Sequence, residues 1–401
     1  MHLREASPRR LKWATAGTFL ILPISGVLTD IYLPSFPAMA GNLGVTQASV
    51  QLTLTCFLFS YGICQLFVGS LLDRFGRRPL VLASLVTVIL SSLVIAWSHS
   101  IAMICAMRIL QGTATAFIVV AKRAYVVDVY DGEERKHYLS YYTIVWSCGP
   151  ILAPFLGGYL EKAFHWQANF YFIAGFSLFA FFWELLIGGE TVRQRKPLKP
   201  RAVARDYSTL LTHRDFMTGT IILGLSYGVV MIFNLSGPFV LEDQWHYSSV
   251  TIGYCTLGLG IAWMSGGILG KQLVKRDFNT KITLAVFAQI ALVLGLMLAS
   301  LRFDNLFLLV GCVFPTVVCS GFLFTNYFGH SMLLFPEHAG IAGGLAGGLL
   351  YLVTSLIGFI VPLAKHATSL FDLSVQYAIL VGLLAAVVLN SIRRNLLPSS
   401  R

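Results

Sequence analysis

The chain has 401 residues, of which 56% are hydrophobic and 12% charged, with a net charge of +11. A water-soluble fold this apolar would expose large hydrophobic patches, so the composition excludes that class. The basic excess lies in short segments between apolar runs, a pattern that marks membrane orientation and argues against nucleic acid as a partner.

In chain order, charge-poor runs fall at 12–36, 46–71, 79–98, 101–123, 137–160, 167–188, 216–240, 249–270, 281–301, 305–329, 340–363 and 373–392. Each is close to the ~20 residues that a helix needs to cross a ~30 Å hydrocarbon layer. The alternating pattern of a membrane barrel is absent. The fold class expected is therefore an all-α polytopic membrane protein with 12 transmembrane helices. Six helices occupy 1–188, a basic cytoplasmic linker runs over 189–215, and six more occupy 216–401. Of the 29 Lys and Arg, 25 fall in segments on the side of the N-terminus. Only Lys162, Arg302 and Lys365 fall on the other side, and Arg108 alone lies inside a span. That bias puts both termini in the cytoplasm. The first run carries Asp30 and lacks a small-residue cleavage site, so it is expected to be retained.

Gly69-Ser70-Leu71-Leu72-Asp73-Arg74-Phe75-Gly76-Arg77-Arg78-Pro79 joins the second and third runs. Its glycines permit a tight turn, and Asp73 among three arginines reads as an ionic latch. Asp30 and Arg108 lie inside apolar runs, where a charge costs several kcal/mol unless paired or wetted. Both fall about two turns from the outer surface, a matching depth that allows pairing directly or through water. Gln111, one turn along from Arg108, is placed to orient it. The alternative reading is a structural ion pair.

Gly149-Pro150-Ile151-Leu152-Ala153-Pro154-Phe155-Leu156-Gly157-Gly158 puts small residues on one helix; the prolines predict a bend and the glycines a close neighbour. Tyr61, Gln65, Tyr142, Trp146, Asn234 and Asn326 are candidates for lining a substrate cavity, although each is individually better read as a structural partner of a neighbouring helix. Glu184, one turn from the inner end of the sixth helix, is expected to snorkel to the interface. The seven cysteines form no CxxC pair, and His330, Glu337 and His338 have no metal-ligand spacing. Dinucleotide, P-loop, metalloprotease and nucleophile-elbow signatures are absent, so no enzyme activity, cofactor or metal is expected, and any transport must draw on an ion gradient.

Together these residues resemble the major facilitator superfamily over the whole chain. Gly69–Pro79 is similar to its signature between helices 2 and 3, and Arg108-Ile109-Leu110-Gln111-Gly112 to its helix-4 arginine signature. Gly149-Pro150 with Gly157-Gly158 is similar to the helix-5 signature of proton-coupled antiporters. Thr29-Asp30-Ile31-Tyr32-Leu33-Pro34 and Gly237-Pro238-Phe239-Val240-Leu241 resemble the twelve-span drug:proton antiporters of the bicyclomycin/chloramphenicol-resistance (Bcr/CflA-like) branch. The chain departs from that branch at Val127, where Arg is usual, and at Gly188-Gly189-Glu190-Thr191, where Leu-Pro-Glu-Thr is usual; Leu20–Leu28 holds no second acid.

The resemblance implies two six-helix bundles related by a pseudo-two-fold axis. It implies a cytoplasmic gate of Gly69, Asp73, Gly76, Arg77 and Asp128. It also implies a seal against proton leak at Gly149, Pro150, Pro154, Gly157 and Gly158, and proton coupling at Asp30 and Arg108 supported by Gln111. The implied activity is proton-coupled export of small, partly hydrophobic organic compounds by a monomer in the bacterial inner membrane. Its partners would be the small-molecule substrate, protons and the lipid bilayer. The alternatives are an exporter dedicated to one natural product such as a siderophore, an uptake symporter, and a non-transporting receptor.

Overall fold

The computed structural model describes residues 3, 7–192, 195, 200–335, 339–364 and 367–396. Lys365 and three of the linker's basic residues, Arg193, Lys196 and Lys199, lie outside them, as do Glu337 and His338. The chain divides into two compact units, Met1–Pro200 and Arg201–Arg401. The described residues hold 12 helical stretches long and apolar enough to cross a membrane. In hydrocarbon every backbone N–H must be bonded within its own segment, and a helix satisfies that requirement.

In the first unit, span 1 is broken into α1 (Pro8–Ile21), α2 (Ile24–Asp30), a 3-10 turn at Leu33–Ser35 and α3 (Phe36–Leu43). The single helix expected over 12–36 is thus corrected. Pro23, Pro34 and Pro37 each remove a backbone donor, and the breaks sit at or beside them. The remaining spans of this unit are α4 (Gln47–Phe75), α5 (Arg77–Trp97), α6 (Ile101–Val129), α7 (Gly132–Phe164) and α8 (Gln167–Leu186). Thr46 and Ser100 cap α4 and α6 through their hydroxyls. The hinge between α4 and α5 shrinks to one residue, Gly76, at φ 96°, a conformation that favours glycine. Pro150 and Pro154 are carried inside α7, which stays helical through both.

The second unit contains α9 (Pro200–Thr212), which falls in the stretch read as linker, then α10 (Arg214–Phe239) with a π-helical turn at Val240–Gln244. It continues with α11 (Ser249–Gln272), α12 (Phe278–Ala299), α13 (Leu306–Leu333), α14 (Ala339–Ala364) and α15 (Leu370–Leu396). Both units use small residues for close approach. Gly112 of α6 abuts the backbone of Phe57 and Tyr61 in α4, and Gly321 of α13 abuts the backbone of Trp263 in α11.

Candidate functional site

The first unit is built around Arg108, whose side chain is 0% exposed. Its guanidinium lies between two rings, 4.6 Å from the Tyr32 centroid and 4.4 Å from that of Phe57. Such stacking over π-faces stabilises a desolvated cation. Arg108 Nη1 donates to the Leu28 carbonyl at 2.9 Å and to Gln111 Oε1 at 2.7 Å. That acceptor carbonyl exists because span 1 breaks here: the last turn of α2 has carbonyls without intrahelical partners. Gln111 Nε2 donates onward to Ser92 Oγ of α5 at 2.9 Å. Gln111 is therefore bonded to the arginine on one side and to a neighbouring helix on the other.

Asp30, the last residue of α2, is 2% exposed. It interacts electrostatically with Arg108, but no ion pair closes between them, and Asp30 Oδ1 has no hydrogen-bond partner. Arg108 Nε and Nη2 are unspent as well. Direct pairing is thus replaced by an open arrangement, in which a carboxyl oxygen and two guanidinium donors are free to engage water, each other or a third group.

Helix α7 holds the segment that carries Asp30. Gly149 abuts the backbone of Pro23, Gly26 abuts Pro150, and Gly157 abuts the Ile31 carbonyl. A Cβ on Gly149 or Gly157 would collide with backbone, which cannot swing away. Trp146 Nε1 donates to Ser25 Oγ at 3.0 Å, adding a fourth point of contact. Pro154 and Gly158 lie on the same helix between and beside these contacts.

The cavity candidates divide between the units. Tyr61 is a core residue, buried against Phe57 with ring centroids 5.8 Å apart. Gln65 and Tyr142 are half-buried, Tyr142 beside the cluster of Leu3, Ala14, Tyr125, Val126 and Tyr130. Trp146 is spent on Ser25. In the second unit Asn234 is buried with Oδ1 unpartnered, while Asn326 donates back to the Phe322 carbonyl of its own helix at 2.9 Å.

At the α4–α5 hinge, Arg77 forms an ion pair with Asp128 and a second one with Asp73 at 3.4 Å. Gly69 is exposed with open space around it. Sequence reading missed the residue that organises this cluster. Glu190 accepts from the backbone N–H groups of Arg77 at 3.1 Å and Arg78 at 3.3 Å, and from those of Thr191 and Val192. Its carboxylate thereby caps the N-terminus of α5, where negative charge is favoured. The packing explains Gly76, since a Cβ there would meet the Glu190 carboxylate.

Snorkelling of Glu184 is also corrected. Its carboxylate is buried and bonded to Lys122 Nζ of α6 at 2.5 Å, with side chains 7% and 5% exposed. Lys122 is therefore a second cation within the apolar bulk beside Arg108. Close by, Thr15 Oγ1 bonds the Tyr125 hydroxyl at 2.9 Å and that of Tyr130 at 2.6 Å. Burial pushes the Tyr130 phenol up to about 12, so it keeps its proton at neutral pH.

A family profile described as Major Facilitator Superfamily matches residues 18–362. The bicyclomycin resistance protein homolog of Haemophilus influenzae is 29% identical over 88% of this chain and 89% of its own length. Multidrug resistance protein D of Escherichia coli is 26% identical over 82% of this chain and 83% of its own. The fold also matches the nucleoside transporter NupG, with a TM-score of 0.72 at 15% identity, over 97% of this chain and all of that one. With 12 spans in two units and a profile match running from span 1 into span 11, the chain belongs to the Major Facilitator Superfamily.

Proposed function

We propose that this protein is a proton-coupled antiporter that exports small, partly hydrophobic organic compounds across a bacterial inner membrane, with both termini in the cytoplasm. One observation carries the coupling. Asp30 is a buried carboxyl whose Oδ1 has no hydrogen-bond partner, in the field of an arginine held by two rings, a carbonyl and an amide. A charge stranded in such a site costs several kcal/mol, and a proton or a closing ion pair removes that cost. Protonation of Asp30 then favours one conformation and substrate binding the other. Export is supported by the relatives, whose names speak of resistance to bicyclomycin and other drugs. The cytoplasmic placement of the termini is supported by the Lys and Arg bias of the connecting segments.

The test is flux in proteoliposomes. A panel beginning with bicyclomycin is imposed as a gradient, and proton movement is followed with an internal dye. Wild-type protein should move protons with at least one compound, and Asp30→Asn should fall to the level of empty liposomes. Proton movement by D30N at the wild-type rate removes Asp30 from the coupling. The dedicated-exporter reading is favoured instead if a single compound in a broad panel drives protons.

A further inference from the structure

A groove of about 560 Å³ opens between the N-terminal end of α1 and the C-terminal end of α8, lined by Ser7, Arg9, Arg10, Trp13, Trp183 and Leu186. Its two walls are tied together by the protein itself. Arg10 donates to the carbonyls of Leu186, Ile187 and Gly188 at 3.3–3.5 Å, spending its charge on the carbonyls at the end of α8. Trp183 Nε1 donates to the Trp13 carbonyl at 3.2 Å, the two rings lie 5.9 Å apart, and Gly17 leaves room for the Trp183 indole.

Two features of the groove are left unspent. Arg9 is exposed and forms no hydrogen bond or ion pair among the described residues. It stands in the first turn of α1, where the helix end also favours negative charge. Among the described residues no acidic side chain lines the groove: Glu184 is bonded to Lys122, and Glu190 to the start of α5. Beyond this basic corner runs an apolar track. Phe179, Phe182, Trp183 and Leu186 fall at helical spacing on one stripe of α8, and Trp13 and Leu20 are exposed along α1. Trp13 is 50% exposed and Leu186 70%, which suits side chains wetted by acyl chains rather than water.

A cationic corner at the end of a span, continuous with an exposed aromatic track, has the layout of a phospholipid. We propose that this groove is a binding site for an anionic phospholipid, its phosphate at Arg9 and the start of α1, and one acyl chain along the aromatic stripe of α8. Basic pockets between transmembrane helices recognise anionic headgroups in this way, and tryptophans sit at headgroup level. The headgroup charge, rather than the chain, supplies the selectivity.

Native mass spectrometry of the full chain in detergent, titrated with phosphatidylglycerol or with phosphatidylcholine of the same acyl chains, tests this without any transport readout. Wild-type protein should retain phosphatidylglycerol in preference to phosphatidylcholine. Arg9→Gln, which touches no structural bond, should weaken retention of phosphatidylglycerol about fivefold, the worth of one interfacial cation. It should leave phosphatidylcholine unchanged, while Trp13→Ala should weaken both lipids. Equal retention of the two lipids by the wild type, or R9Q behaving as wild type, overturns the proposal. Displacement of phosphatidylglycerol by an equal concentration of glycerol 3-phosphate also overturns it, by reducing the groove to a site for a free anion.

Discussion

Arg108 shows why one cation type is used. A lysine in its place would keep the charge but lose the planar face that lies between Tyr32 and Phe57, and the fork that reaches Leu28 and Gln111 together. A desolvated cation–π contact is worth ~2 kcal/mol or more. Arg108→Lys should therefore cut coupled flux by about tenfold or more. Flux within twofold of wild type would show that charge alone suffices. Lys122 and Glu184 behave differently, because among the described residues each is the other's only ion-pair partner, in a buried place. Removing one partner leaves a stranded charge, so Lys122→Met should destabilise by about 3–5 kcal/mol. The double variant K122M/E184L should recover most of that in a thermal unfolding series. Asp30 and Arg108 stood out in the sequence because charge is rare in the middle of an apolar run. Lys122 and Glu184 did not, because each lies near the end of its run and reads as an interfacial charge.

Between helices, the contacts that matter are glycine against backbone. The Ile31 carbonyl blocks any Cβ at Gly157, so Gly157→Ala should cost about 1–3 kcal/mol through overpacking. Gly175, with open space around it, should accept alanine without loss in the same thermal measurement. Pro150 and Pro154 are carried inside α7 without ending it, whereas span 1 is broken at its prolines. The broken segment is the partner that α7 clamps, and it carries both Asp30 and the carbonyl that Arg108 uses. Helix ends can be tested by pH. Asp277 caps α12 by accepting from Thr280 N–H at 2.8 Å, and that bond holds its carboxyl below the usual range. A depressed value stabilises the fold above the ordinary carboxylate pKa and loses that contribution as pH falls through the depressed value. The stability gap between wild type and Asp277→Asn should therefore be present at neutral pH and close in strong acid.

Across the molecule, the two units repeat their packing but not their chemistry. Gly224 and Gly228 of α10 pack against Leu350, Val353 and Ile357 of α14, as α2 packs against α7 in the first unit. The buried Asp–Arg arrangement belongs to the first unit, and the second offers Gln289 bonded to Ser320 at 2.7 Å where the first has Gln111 bonded to Ser92. The side of the membrane is checked separately. Fluorescent-protein fusions at each terminus should both fold and glow in the cytoplasm, while a phosphatase fused after Arg302 should be active outside. An inactive phosphatase there would reverse the orientation.

Span number and the rarity of Asp30 and Arg108 were readable in one dimension, because run length and local charge are properties of neighbouring residues. Which carboxylate meets which cation was not. Lys122 finds Glu184 across 62 residues, Arg108 finds the Leu28 carbonyl across 80, and Glu190 reaches back 113 to the start of α5. Those meetings depend on how closely glycines let helices approach and on where proline frees a carbonyl, and only the packed chain decides them.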